Sequence, residues 1–354
     1  MKLIFTFLIL LACATGLDAM NAMTQADQKT GDRAQAEKVK NDELYDAVIA
    51  GSLEDAKKAL DAGADQNYQI IVDPEQNYSC PIIVLAAEDG HAHIVRLLFE
   101  RKAILTAKTS NEEWQVGHYA AYNDDKELIG VLRELKYPFD AAMTTDGFTP
   151  LVLAVRCGNE DAMRAMLDDD KKTVGADPLI RYGTARLYVM HTAALENQPR
   201  LIEILAKEYN VSVNECSCDS GGGTPLYGAA LTGEYEVVKV LLECKADPSI
   251  ANNQGWGPLH GAANYGYLEI VELLLGKGKV RFDQLVGPNG YTALHEAARK
   301  GNGFVVKVLV KAGAHTFAET HNKRTAADLA KEAGFDEIAS YLKQLSLNDL
   351  LYDE

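Results

Sequence analysis

The chain has 354 residues, 47% of them hydrophobic and 24% charged, ordinary globular usage that excludes a chain disordered throughout. With Lys+Arg 35 against Asp+Glu 51 the formal net charge is -16, so a phosphate backbone would be repelled and no nucleic-acid partner is expected. The six cysteines have no C-x-x-C spacing, which indicates neither a disulfide scaffold nor a structural zinc site. Length alone predicts two or three ordinary domains, an expectation that the internal pattern overturns.

Lys2 is followed by an apolar run from Leu3 to Leu11 and then by small residues, the order of a secretory signal peptide. The run is about half of the roughly 20 residues that span a bilayer, so no transmembrane span is expected in the mature chain. Two processing routes are open. Ala12-Cys13-Ala14 has the small-x-small form of a signal-peptidase site, with cleavage expected over 14–19, whereas Leu10-Leu11-Ala12-Cys13 resembles a lipobox in which Cys13 is lipidated. Either route predicts export to a periplasm or the exterior, as a soluble or a membrane-anchored protein. Thr24 to Lys40 carry no apolar periodicity and read as a mobile leader or a frayed helix. The predicted organisation is a signal peptide over 1–19, a flexible leader over 20–40, a repeat array over 41–343 and a C-terminal tail over 344–354.

The array is visible as self-similarity. Thr149-Pro150-Leu151, Thr224-Pro225-Leu226, Gly257-Pro258-Leu259-His260 and Thr292-Ala293-Leu294-His295 each open the same short helix. Aligning the remaining copies on their small-residue pairs places its first slot at Asp42, Pro81, Gln115, Thr149, Tyr188, Thr224, Gly257, Thr292 and Thr325, at intervals of 33 to 39 residues. Nine positions later stand Gly51, Gly90, Asp124, Gly158, Asn197, Gly233, Gly266, Gly301 and Gly334, types that tolerate a left-handed cap and so end the helix. A second helix follows, with doubled apolar residues such as Val237-Val238 and Leu241-Leu242 forming one buried stripe. Turn-forming stretches such as Lys245-Ala246-Asp247-Pro248 then send the chain into an extended finger. The insertions Ile70 to Ser79 and Asp168 to Thr173 lengthen two intervals.

This pattern resembles the ankyrin repeat, a β-turn finger and two antiparallel helices with a Thr-Pro-Leu-His signature and a period of about 33. The resemblance spans Asn41 to Lys343 and implies an all-α repeat solenoid of about nine copies. It also implies a non-catalytic, monomeric protein-binding module that uses its concave face and finger tips. No copy could bury its own apolar face, so stacking supplies the core and the terminal copies must present polar outer sides.

Four histidines, His118, His191, His260 and His295, share one slot of the first helix. Consecutive slots lie about 10 Å apart at helix-packing distance, too far for shared ligation, and the resemblance makes them structural hydrogen-bonding residues. Asp168, Asp169 and Asp170 lack a Gly-containing calcium loop and read as a solvated run. No nucleophile elbow, P-loop or zinc-protease motif is present, so neither an enzyme nor a cofactor is expected. Cys216 or Cys218 could bridge Cys244 in an oxidising compartment.

The residue preceding the first slot forms the most informative column: Asn41, Cys80, Trp114, Phe148, Leu187, Gly223, Trp256, Tyr291 and Arg324. Both tryptophans of the protein are in it. Because the residues that follow are the buried ones, this position projects outward at the base of the finger, and large aromatics there suit interface anchors. Trp114, Phe148, Trp256, Tyr291 and Arg324 are therefore the candidate partner-binding residues. The acidic net charge predicts a partner surface carrying Lys or Arg around an apolar patch. The alternative is a structural or protective envelope component without one specific ligand.

Overall fold

The computed structural model describes residues 33–352 except 74–77, 169–174, 184–186, 218–220, 277–282, 284–285 and 288. The signal segment with Cys13, the first part of the leader, Cys218, Asp169 and Asp170 lie outside the described residues. The chain forms two compact units, Met1–Ala120 and Ala121–Glu354.

In the first unit, helix α1 runs through 33–49 and is followed by α2 (Leu53–Asp61), strands β1 (Gln69–Asp73) and β2 (Tyr78–Pro81), α3 (Ile82–Glu88), α4 (Ala92–Glu100) and the start of α5 (Val116–Tyr122). The second unit carries α6 (Lys126–Glu134), α7 (Pro150–Cys157), α8 (Glu160–Leu167), α9 (Val189–Leu195), α10 (Pro199–Lys207), α11 (Pro225–Thr232) and α12 (Tyr235–Glu243). It continues through α13 (Pro258–Tyr265), α14 (Leu268–Gly276), α15 (Ala293–Lys300), α16 (Gly303–Lys311), α17 (Ala326–Glu332) and α18 (Asp336–Tyr352). In this unit α7, α9, α11, α13, α15 and α17 pack in succession, and α10, α12, α14 and α16 form the row behind them. This is the all-α repeat solenoid expected from the sequence.

The boundaries follow from local chemistry. Thr149, Thr224, Thr292 and Thr325 are N-caps whose hydroxyls accept the backbone N–H of the third residue on, and proline occupies the first helical turn of α7, α11 and α13. The stop residues all have positive φ, from 54° at Asn197 to 87° at Gly233. At α13 a second constraint is added. A Cβ on Gly266 would stand 2.8 Å from Oδ1 of Asn302, whose Nδ2 donates to the carbonyls of Ala263 and Asn264 at 2.8 and 3.1 Å. The next repeat thus satisfies carbonyls that the helix end leaves open. Asn159 does the same for Ala121 and Tyr122.

Three boundaries differ from expectation. Asp42 opens no helix: α1 passes straight through it, with Leu44, Ala47 and Val48 buried, because no finger precedes the first pair to force a new start. Residues 33–40, expected as flexible leader, belong to that helix, and 344–352, expected as a tail, continue α18. The first insertion forms the antiparallel pair β1–β2, with Ile70 opposite Cys80 and a bulge between Ile71 and Asp73.

Candidate functional site

Each of the five candidate residues is held by a closed hydrogen-bonded ring at the finger base. Thr144 donates its N–H to the Phe148 carbonyl at 3.0 Å, and the Phe148 N–H returns to Thr144 Oγ1 at 3.1 Å. Asn252 and Trp256 repeat the arrangement at 2.8 and 2.9 Å, as do Thr320 and Arg324 at 2.9 and 3.1 Å. In the first unit Thr109 and Trp114 do so at 2.9 and 3.0 Å. For Tyr291 the partner is the backbone of Val286, with both bonds main-chain. Side chains mounted on such rings lose little freedom on contact with a partner, which is what an anchor requires.

The histidine slot lies directly beneath. Nδ1 of His118, His191, His260 and His295 accepts the backbone N–H of the residue three before it, at 3.0 to 3.4 Å. An acceptor Nδ1 fixes the proton on Nε2 in the neutral ring, so Nε2 of His295 donates to the Arg324 carbonyl at 3.2 Å and that of His191 to the Gly223 carbonyl at 3.0 Å. These two rings thereby tie one helix start to the next finger base. Burial holds the His295 pKa below its ordinary value, with the backbone hydrogen bonds opposing. The four rings are buried and structural. Among the described residues no group of three His, Cys, Asp or Glu side chains could hold a metal ion.

Trp114, Phe148, Trp256, Tyr291 and Arg324 are all half-buried. Trp256 and Tyr291 lie over His260 and His295 with ring centroids 6.1 Å apart. Trp114 meets Tyr119 edge-on at 5.0 Å. Across the helix the next neighbour is the side chain eight residues on: the Arg156 guanidinium covers the Phe148 ring at 5.1 Å, that of Arg299 covers Tyr291 at 5.7 Å, and Arg324 pairs with Glu332. In the second unit the column and the exposed ends of the first helices therefore form one face. Sequence reasoning missed this second row, although its spacing from the column is constant. It contains Arg156, Leu195, Leu231, Asn264 and Arg299, beside Tyr265, which is 57% exposed.

The face does not share the charge of the whole chain. Arg156 is matched by Glu196 at 3.3 Å and Arg324 by Glu332; Arg299 turns to Glu296, only 1% exposed, and exposed Lys300 has no ion-pair partner among the described residues. The acidic residues are concentrated on the second helices and loops, as in Glu160, Glu203 and Glu208 beside Arg164 and Arg200.

Two positions, Leu187 and Gly223, interrupt the aromatic column between Phe148 and Trp256. Gly223 and Gly228 leave a hollow of about 150 Å³ bounded by Leu187, Leu195, Pro225 and Tyr227. Tyr227 stands where four other copies carry histidine, and a Cβ on Gly223 would meet its ring at 2.6 Å. A larger hollow of about 710 Å³ lies away from this face, against α16 and α18, with Phe304 and Phe335 at its rim. Cys244 is a free thiol, and Cys218, one of the two residues read as able to bridge it, lies outside the described residues. Burial pushes the Cys80 thiol up to about 12, leaving it un-ionised and inert. Among the described residues no helix is long and apolar enough to cross a membrane.

Comparison with known proteins agrees with this architecture. The family model for ankyrin repeats matches three times, over residues 83–181, 190–284 and 259–349. The SH3 and multiple ankyrin repeat domains protein 2 of Homo sapiens is 29% identical over 234 residues, covering 66% of this chain and 10% of its own length. The tyrosine-protein kinase HTK16 of Hydra vulgaris is 29% identical over 141 residues, 40% of this chain and 19% of the kinase. The tyrosine-protein kinase Shark of Drosophila melanogaster is 30% identical over 161 residues, 45% of this chain and 17% of the kinase. The chain thus spans less than a fifth of each of these relatives. With the family model covering more than half of its residues, the chain belongs to the ankyrin-repeat family.

Proposed function

We propose that this chain is an exported, non-catalytic recognition module in which nine stacked ankyrin repeats present a rigid aromatic face to a protein partner. The reading is carried by one observation: Phe148, Trp256 and Tyr291, large rings set on closed hydrogen-bonded finger bases, stand half-exposed on the same face as Tyr265 and Leu195. Ankyrin repeats act generally as protein-interaction modules, and the buried histidines and un-ionised Cys80 offer no activated nucleophile here.

The test is saturable capture of one partner by the full chain, set against a variant lacking the Trp256 and Tyr291 rings. A partner retained by the parent and lost by the variant supports recognition. Retention that does not saturate and ignores the variant supports a structural envelope role instead. Export is tested separately by mass spectrometry of the mature N-terminus: a lipidated Cys13 means a membrane-anchored protein, and a start near Thr15 or Met20 means a soluble one.

A further inference from the structure

We propose that the face presented by α9, α11, α13 and α15 receives an extended acidic segment of the partner. One large apolar side chain of that segment occupies the hollow at Gly223 and Gly228, and a carboxylate of the same segment reaches Lys300 at the end of α15. This rests on the reading of the face as a recognition surface and adds the chemistry of the occupant.

The hollow is a built feature of the repeat. At the fourth position after the slot, four other copies carry Leu153, Thr192, Glu296 and Leu329, whereas here and in the next copy the residues are Gly228 and Gly261. Leu195 from the preceding helix lies 3.5 Å from where a Gly228 Cβ would be, so it walls the cavity without filling it. Tyr227 and Pro225 close the far side, and about 150 Å³ accommodates one aliphatic or aromatic side chain. An apolar group seated there leaves water for Leu187, Leu195 and Tyr227, the arrangement typical of interface anchors.

Charge selects the flanking chemistry. On this face Glu196 is neutralised by Arg156 and Glu332 by Arg324, whereas Lys300 has no acidic partner among the described residues. Arg299 is held by buried Glu296 at 2.6 Å, so its charge is met from within its own helix. An incoming carboxylate thus meets the uncompensated charge of Lys300 although the whole chain is at -16. Two repeats separate the hollow from the end of α15. At about 10 Å per helix-packing step that is roughly 20 Å, or about six residues of extended chain at 3.3 Å each.

Random dodecapeptides displayed on phage and selected on the immobilised full chain test this. The expected enrichment is one Leu, Met or Phe with Asp or Glu about six residues away. The best such peptide, synthesised, should bind Gly228→Leu at least tenfold more weakly, and Lys300→Glu likewise. Thermal melts check that both variants fold. Gly228→Ala, whose Cβ makes only ordinary contact, gives a smaller loss in the same direction and keeps the test open if the leucine variant fails to fold. Enrichment of Lys- or Arg-rich peptides that still need Trp256 and Tyr291 overturns the acidic occupant while keeping the face. Peptides indifferent to loss of both rings overturn the face itself. No enrichment, or equal binding to every Gly228 variant, overturns the proposal.

Discussion

Replacing Gly266 by asparagine separates two reasons for a glycine at a helix end. Gly266 has φ 80°, a conformation that costs a side-chain-bearing residue roughly 1–2 kcal/mol and asparagine less, so by backbone alone the change is mild. The structure adds a steric term, because any Cβ there meets Asn302 Oδ1 at 2.8 Å and must push that side chain off the carbonyls of Ala263 and Asn264. Losing two hydrogen bonds of about 1 kcal/mol each brings the expected cost of Gly266→Asn to about 2–3 kcal/mol. Gly334, at φ 84° with nothing within 4 Å of its Cβ position, supplies the strain alone, and Gly334→Asn should cost about 1 kcal/mol or less. Because urea unfolding of a repeat array can lose two-state behaviour, the decisive measurement is a double-mutant cycle of Gly266→Asn with Asn302→Ala. Both single changes remove the same two bonds, so the double variant should be about 1–2 kcal/mol less destabilised than the sum. Additivity within about 0.5 kcal/mol would refute the cap, and Gly266 would then be a glycine for its φ alone.

Three further outcomes are expected. His295 has a folded pKa below 6.5, so the unfolded chain binds more protons in that window; stability should be complete above pH 6.5 and decline as pH falls below it, and His295→Asn should flatten the urea midpoint between pH 7 and pH 5. An unchanged slope would show that protonation does not oppose the helix-to-finger tie. Leu241, fully buried in α12, should cost about 2–5 kcal/mol as alanine, and half-exposed Trp256 less; the reverse order in melts would make the column a packing element. Deleting Thr224 to Gly255 removes one unit that contacts only its neighbours, so circular dichroism should still show a folded, shorter helical protein, and collapse of the helicity would contradict the nearest-neighbour picture.

The sequence by itself determined the repeat, its register and its caps, because those depend on chemistry within about ten residues. Threonine before proline starts a helix, and a glycine, Asp124 or Asn197 with positive φ ends it, wherever the pair occurs. The outward setting of the aromatic column was legible for the same reason: it follows from which neighbours are buried. The course of α1 through Asp42 was not, since a missing finger is a missing tertiary constraint that leaves no residue to read. Nor was the character of the face. Net charge is a sum over the chain, whereas the field at Arg299 and Lys300 depends on Glu296 turning inward and Glu196 and Glu332 finding arginines, distances that only folding sets. Gly223 reads in the sequence as a column position without a ring. Only the packing of Tyr227 and Leu195 around it decides that the gap is a hollow of definite size, because a cavity is defined by residues brought together from two successive repeats.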